Sequence, residues 1–168
     1  MRLADVDWAQ WVADDLVTIV YVVQASRLLL IEKKRGLGRG KVNAPGGRVE
    51  PGESLAEAAA RELQEEVGLT VEGPLDRRAE CRYQFTDGLA LHLHAFVTQD
   101  VSGRLLETDE ALPFWVSPDD IPLDRMWEDN RLWVPQVLAG QHARGRFIFD
   151  GDAMGDHDLQ VGPGLLDQ

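Results

Sequence analysis

Three glutamates, Glu62, Glu65 and Glu66, stand at i, i+3 and i+4 in the segment from Ser54 to Val67. On a helix that spacing turns all three carboxylates to one side, at a cost of roughly a few tenths of a kcal/mol per like-charged pair. Lysines one turn away would relieve the repulsion, yet Arg61 is the only base in the segment. By itself the cluster describes a solvated acidic face. Its surroundings favour a metal site. Glu53 lies just before the helix, Gly46 and Gly47 permit close approach of the backbone, and small Ala58 shares the glutamate face, leaving room for an ion and its waters. Oxygen ligands without His or Cys select Mg2+, with Mn2+ as its substitute, over zinc.

The elements that must position these groups are legible around them. Ser54 and Glu57 form a capping-box signature at the start of the helix, and Gly68 stands where a left-handed C-terminal residue is wanted. Ala56, Ala59, Ala60, Leu63 and Val67 make an apolar stripe that packs on a sheet. Leu16 to Val23 and Arg27 to Ile31 are β-rich runs joined by a short turn, so a hairpin is expected there. Arg82 to Phe85 pairs with Leu89 to Thr98 around Thr86-Asp87-Gly88. Leu112 to Val116 is a short strand, Asn130 to Leu138 a second helix, and Arg146 to Phe149 an edge strand. Residues 1–14 and 151–168 carry little periodic signal, although Trp8 and Trp11 offer packing surface. Strands around a few helices imply a mixed sheet with helices on its faces.

The bulk properties limit the function. The 168 residues suit one domain with a real core. Seventeen Lys and Arg against 29 Asp and Glu leave a net charge of -12, which excludes duplex nucleic acid held by a broad phosphate-neutralising surface. A small polyanion remains compatible wherever metal ions reverse the local field. No apolar run spans a bilayer and the first residues lack a signal-peptide core, so no membrane partner is expected. The single cysteine, Cys81, fits a reducing compartment, and a cytoplasmic protein is expected. A monomer is expected, with a dimer as the alternative.

Gly47, five residues, Glu53, seven residues and then Arg61-Glu62-Leu63-Gln64-Glu65-Glu66-Val67-Gly68-Leu69 resembles the Nudix box at every signature position. The resemblance implies an α/β fold, the Nudix α/β/α sandwich with a mixed β-sheet and a loop-helix-loop. It implies residues 15–162 as the Nudix domain, 1–14 as an extension and 163–168 as a tail. It also implies hydrolysis of nucleoside diphosphate derivatives, with Glu62, Glu65 and Glu66 as metal ligands beside the Gly46 carbonyl. Arg61 would pair with Glu53 and orient the ligands.

The likeness reaches from about Leu16 to Asp158 and is greatest to the animal-type oxidised-purine nucleoside triphosphatases, the MutT-like 8-oxo-dGTP diphosphatases of nucleotide-pool sanitation. It rests on Glu32-Lys-Lys-Arg-Gly-Leu-Gly with Asn43, on Glu107-Thr-Asp-Glu110, and on Pro122 to Asn130 with Trp133. It implies Thr18, Lys33, Asn43, Gly46, Gly47, Trp127, Glu128, Asp129 and Asn130 around the substrate, and Glu110 as a further ligand or the general base. The residue types suit that work. Trp127 offers a stacking face, Asn43 both a donor and an acceptor, and Asp129 an acceptor that becomes a donor on protonation. This chain departs from the group at Asn130, where a second aspartate is usual, and at Leu37, Val42 and Pro45, where aromatics are usual. Another Nudix substrate (ADP-ribose, a dinucleoside polyphosphate or a capped RNA end) or a non-catalytic nucleotide sensor is the competing expectation. Lys33, Lys34, Arg35, Arg39 and Lys41 make a basic loop that either attracts phosphates or is only solvated. The glycines within it lack the helix a dinucleotide fingerprint needs, and His92 with His94 is too small a set for zinc.

Overall fold

A computed structural model describes residues 1–167; Gln168, the last residue of the expected tail, lies outside the described residues. The first long run, β1 (Asp15–Gln24), is apolar on both faces because it is covered on both. Ile19 and Tyr21 enter one apolar cluster, Val20 and Val22 the other. β2 (Arg27–Lys33) returns antiparallel from it, and β3 (Val42–Asn43) and β4 (Gly46–Arg48) pair with β2 and β1 in turn. The hairpin turn holds Ala25 at φ 49° and Ser26 at φ 60°, left-handed positions taken here without glycine.

Helix α1 (Leu55–Val67) starts as expected: Ser54 Oγ accepts from the Glu57 N–H at 3.1 Å, and Glu57 Oε2 accepts from the Ser54 N–H at 2.9 Å. It ends at Gly68, with φ 80°. The expected apolar stripe is rotated slightly. Ala59, Leu63 and Val67 pack against β1 and β2 and Ala58 is buried as well, whereas Ala56 is exposed. Ala58, expected on the glutamate face, is fully buried.

After α1 come β5 (Leu69–Val71), β6 (Asp76–Phe85), β7 (Ala90–Thr98), β8 (Val101–Gly103) and β9 (Ala111–Val116). Helix α2 (Asn130–Leu138) follows, then β10 (His142–Asp150) and β11 (Ala153–Gly162). The main sheet runs β11-β10-β6-β7-β1-β2-β3, with β4 on β1 and β9 on β2, and β5 and β8 form a separate pair. It is mixed: β1 with β7 and β6 with β10 run parallel, the other pairs antiparallel. One face receives α1; the other receives Trp133, Val134 and Val137 of α2. The result is the expected α/β/α sandwich.

Two strand expectations need correction. β10 is an interior strand, because Ala153–Gly162 forms β11 outside it. The polar residues of β11 face solvent at the sheet edge, so the segment shows no apolar period in the sequence. β6 also begins six residues earlier than expected, at Asp76. Residues 1–14 pack on the sheet through their tryptophans. Trp11 Nε1 donates to Gln84 Oε1 at 2.8 Å, and the guanidinium groups of Arg82 and Arg146 cover Trp11 and Trp8. No helix among the described residues is long and apolar enough to cross a membrane.

Candidate active site

β4 lies against α1 because its residues are glycines. A Cβ on Gly47 would fall 2.4 Å from the Glu62 carboxyl carbon, and one on Gly46 would fall 2.0 Å from the Thr18 carbonyl oxygen. This contact carries the site. With the backbone so near, the Gly46 N–H donates to Glu66 Oε2 at 2.8 Å. Carboxylate oxygens of Glu62, Glu66 and Glu110 then lie within 4.8 Å of one another. Glu66 is only 4% exposed, and its burial, together with the Glu62 and Glu110 charges, pushes its carboxyl up to about 7. Burial likewise raises Glu62. Three acids held together against their own repulsion, on a hard all-oxygen donor set, fit a divalent cation.

Arg61 organises the rim. Its Nε and Nη2 reach the two Glu53 oxygens at 2.6 and 2.8 Å, and Nη2 also donates to the Arg48 carbonyl at 2.9 Å. Nη1 reaches Glu62 at 3.0 Å and Glu65 at 3.1 Å. These bonds pull Glu53 down to about 2 and hold the guanidinium firmly charged. The expected Glu53–Arg61 pair is present. Glu65 differs from its helix neighbours: it is exposed, turned to Arg61 and outside the cluster that Glu62 and Glu66 form with Glu110. The reason is helical geometry, since Glu62 and Glu66 are one turn apart while Glu65 precedes Glu66 by about 100° of rotation.

The basic loop is pinned to the acidic segment opposite. Arg35 pairs with Glu110 at 2.5 Å, and Lys34 with Glu107 at 3.0 Å and the Thr108 carbonyl at 2.7 Å. Lys33 lines the cavity, and its charge acts on Glu66.

A cavity of about 650 Å³ joins this cluster to the other half of the site. Lys33, Asn43, Gly46, Gly47, Trp127, Asp129 and Asn130 line it as expected. Trp127 is held edge-on by Phe85 at 6.0 Å and Phe149 at 5.5 Å, with Lys41 Nζ 5.0 Å from its ring centroid. Asn43 Oδ1 accepts the Ala44 N–H at 2.8 Å, which leaves its amide group to donate. Asn130 Nδ2 donates to the Trp127 carbonyl at 3.1 Å, which leaves its oxygen. Asp129, fully buried, accepts from Tyr83 Oη at 2.7 Å and Trp133 Nε1 at 2.8 Å, and burial raises its pKa. Trp133 is core, only 1% exposed.

Two expected substrate residues are not in the cavity wall. Thr18 is fully buried between Val17 and Ile19, which do line the cavity; strand alternation sends Thr18 to the other face. Glu128 is exposed, beside the cavity-lining Trp127 and Asp129. Conversely Tyr83, Phe85, Leu91 and Leu93 line the cavity and were not singled out in the sequence. Their period-two spacing on β6 and β7 is the signal that carries them to one face.

Comparison with known proteins agrees with this geometry. Residues 14–137 match the NUDIX domain family. The chain is 42% identical over 146 residues to the oxidized purine nucleoside triphosphate hydrolase of Danio rerio, covering 86% of this chain and 93% of that protein. To the protein of the same name from Mus musculus it is 37% identical over 147 residues, covering 86% and 94%. Its structure resembles that of the MutT protein from Bacillus halodurans with a TM-score of 0.76, at 28% identity over 87% of this chain and 97% of that one. With the box residues, the sandwich and the acidic cluster in agreement, the chain belongs to the Nudix family of divalent-metal hydrolases.

Proposed function

We propose that the chain hydrolyses oxidised purine nucleoside triphosphates, 8-oxo-dGTP foremost, to the nucleoside monophosphate and pyrophosphate. The observation that carries this reading is the single cavity running from the carboxylates of Glu62, Glu66 and Glu110 to the wall of Trp127, Asp129 and Asn130. It accommodates a phosphate chain at one end and a purine at the other. The names of the Danio rerio and Mus musculus relatives point the same way. The intended cation is Mg2+, with Mn2+ able to replace it.

Glu62, Glu66, Glu110 and the Gly46 carbonyl would hold the ion, and Glu65 would complete the set from the solvent side. The ion supplies charge neutralisation of the phosphate oxygens and a lowered pKa for the attacking water. Arg61 fixes the Glu62 and Glu53 carboxylates in place, and Lys33 offsets charge at the cavity mouth. Trp127 stacks the base, Asn43 donates to its edge, and Asp129 with Asn130 reads its remaining polar atoms. Water oxygen bonds to a phosphorus of the chain, the anhydride bond to pyrophosphate breaks, and the water proton passes to a carboxylate of the cluster. The protein works as a cytoplasmic monomer in nucleotide-pool sanitation and binds neither duplex nucleic acid nor membrane. Rates on 8-oxo-dGTP, dGTP, 2-oxo-dATP and ADP-ribose test the proposal together. Preference for ADP-ribose, or no hydrolysis of any of them with Mg2+ or Mn2+, refutes it.

A further inference from the structure

The two oxygens of Asp129 are treated unequally. Oδ2 accepts both the Tyr83 hydroxyl and Trp133 Nε1, while Oδ1 is buried with no partner among the described residues. Asp129 stands at the N-terminus of α2 yet makes no capping bond there, because its carboxylate is turned to Tyr83 and Trp133. Asp129 lines the cavity, and a buried carboxylate oxygen left unpaired there is costly unless a ligand meets it. Packing alone does not require the Tyr83 hydroxyl. The ring stacks on Phe147 at 5.4 Å, a contact phenylalanine would keep.

We infer that Tyr83 is a positioning residue of the base site: with Trp133 it saturates Oδ2 of Asp129 and commits Oδ1 to the nucleobase edge. The inference rests on the proposed binding of a purine in this cavity. Two donors on Oδ2 leave no place for a proton there. A protonated Asp129 therefore carries it on Oδ1 and offers a donor, whereas an ionised Asp129 offers an acceptor. A ring N–H, as on the edge of a guanine-type base, is met by the ionised form. Asn130 cannot exchange a proton, so the choice falls on Asp129 alone. The titratable groups around it are Tyr21 of β1, Cys81 and Tyr83 of β6, and His157 of β11, whose field favours the anion. Burial holds Tyr21, Cys81 and Tyr83 protonated. For Asp129, burial favours the neutral acid, and the bonds from Trp133 and Tyr83 oppose it.

Tyr83→Phe removes one of those bonds and keeps the ring. With 8-oxo-dGTP, the wild-type KM is expected to rise as pH falls through the Asp129 titration. In the variant that rise should move roughly one to two pH units upward, the size expected for one hydrogen bond to a charged group. Turnover at saturating substrate should stay within about twofold, because no carboxylate of the acidic cluster is touched. The 13C shift of the Asp129 carboxyl, followed against pH in both substrate-free proteins, reads the same displacement without turnover. If neither moves, or if only the carboxyl titration moves while KM does not, the role given to Tyr83 is overturned. Asp129→Asn separates the two levels. If it leaves KM and its pH profile unchanged, the base site itself is wrong. If it alters them while Tyr83→Phe alters nothing, only the Tyr83 inference fails.

Discussion

Replacing Glu66 with glutamine should make the metal-free protein more stable and the enzyme nearly inactive. Glu66 is 4% exposed, faces the Glu62 and Glu110 carboxylates and has one hydrogen-bond donor, the Gly46 N–H. Its pKa rises from 4.5 to about 7, which corresponds to about 3 kcal/mol against the ionised form. The sign follows from proton binding. Between pH 4.5 and about 7 the folded protein holds a proton on Glu66 that the unfolded chain has released, so stability falls as pH rises through that window. Above it the whole cost is present; below pH 4.5 there is none. The amide oxygen introduced by Glu66→Gln would keep the acceptor for the Gly46 N–H and carry no charge. In EDTA at pH 8 the variant should therefore be stabilised by about 2–3 kcal/mol, or about 4–12 °C in Tm for a chain of this size. The gain should vanish near pH 4. With Mg2+ the order reverses, because only wild type regains the interaction, and kcat of the variant should fall by roughly two orders of magnitude or more. Thermal melts at pH 4 and 8, with EDTA and with Mg2+, make the assay. A variant that melts at or below wild type in EDTA at pH 8 refutes the claim that repulsion is stored at this cluster.

Three other outcomes follow from the same contacts. Trp127→Ala should raise KM by roughly 5- to 150-fold, the equivalent of about 1–3 kcal/mol of stacking, with kcat little changed; steady-state kinetics with 8-oxo-dGTP decide it. Ala25→Asn combined with Ser26→Gly replaces two strained left-handed residues of the hairpin turn and should stabilise the fold by about 1 kcal/mol in urea melts. Burial, with His92 beside it, lowers His94 to about 4, so the unfolded chain takes up a proton that the folded protein refuses between pH 6.5 and about 4. Stability should fall as pH drops through that window by about 1–2 kcal/mol, discounted for the nearby solvent. Comparing urea melts of wild type and His94→Gln across that range isolates the contribution from the opposite slope due to Glu66.

The sequence revealed the acidic half of the site because local rules placed it. Ser54, Glu57 and Gly68 mark both ends of α1 without any tertiary contact, and the i, i+4 spacing of Glu62 and Glu66 survives folding unchanged. Glu65 and Ala58 were less legible, since a helix rotation of a few tens of degrees decides which residue faces the sheet. The proposed base pocket was legible only through resemblance, and two residues expected there lie outside the cavity wall for physical reasons. Thr18 follows strand alternation away from the cavity, and Glu128 stays in solvent next to residues that turn in. Tyr83 was invisible because its value depends on Asp129, 46 residues away. β11 was missed because an exposed edge strand needs no apolar face.

Hydrolysis at this site is decided by identifying the products of 8-oxo-dGTP incubated with the protein and Mg2+. The expected products are 8-oxo-dGMP and pyrophosphate in equal amounts, with kcat/KM above that for dGTP and loss of both products with Glu66→Gln. Release of orthophosphate with 8-oxo-dGDP, or turnover that survives Glu66→Gln at saturating Mg2+, would contradict the proposed function.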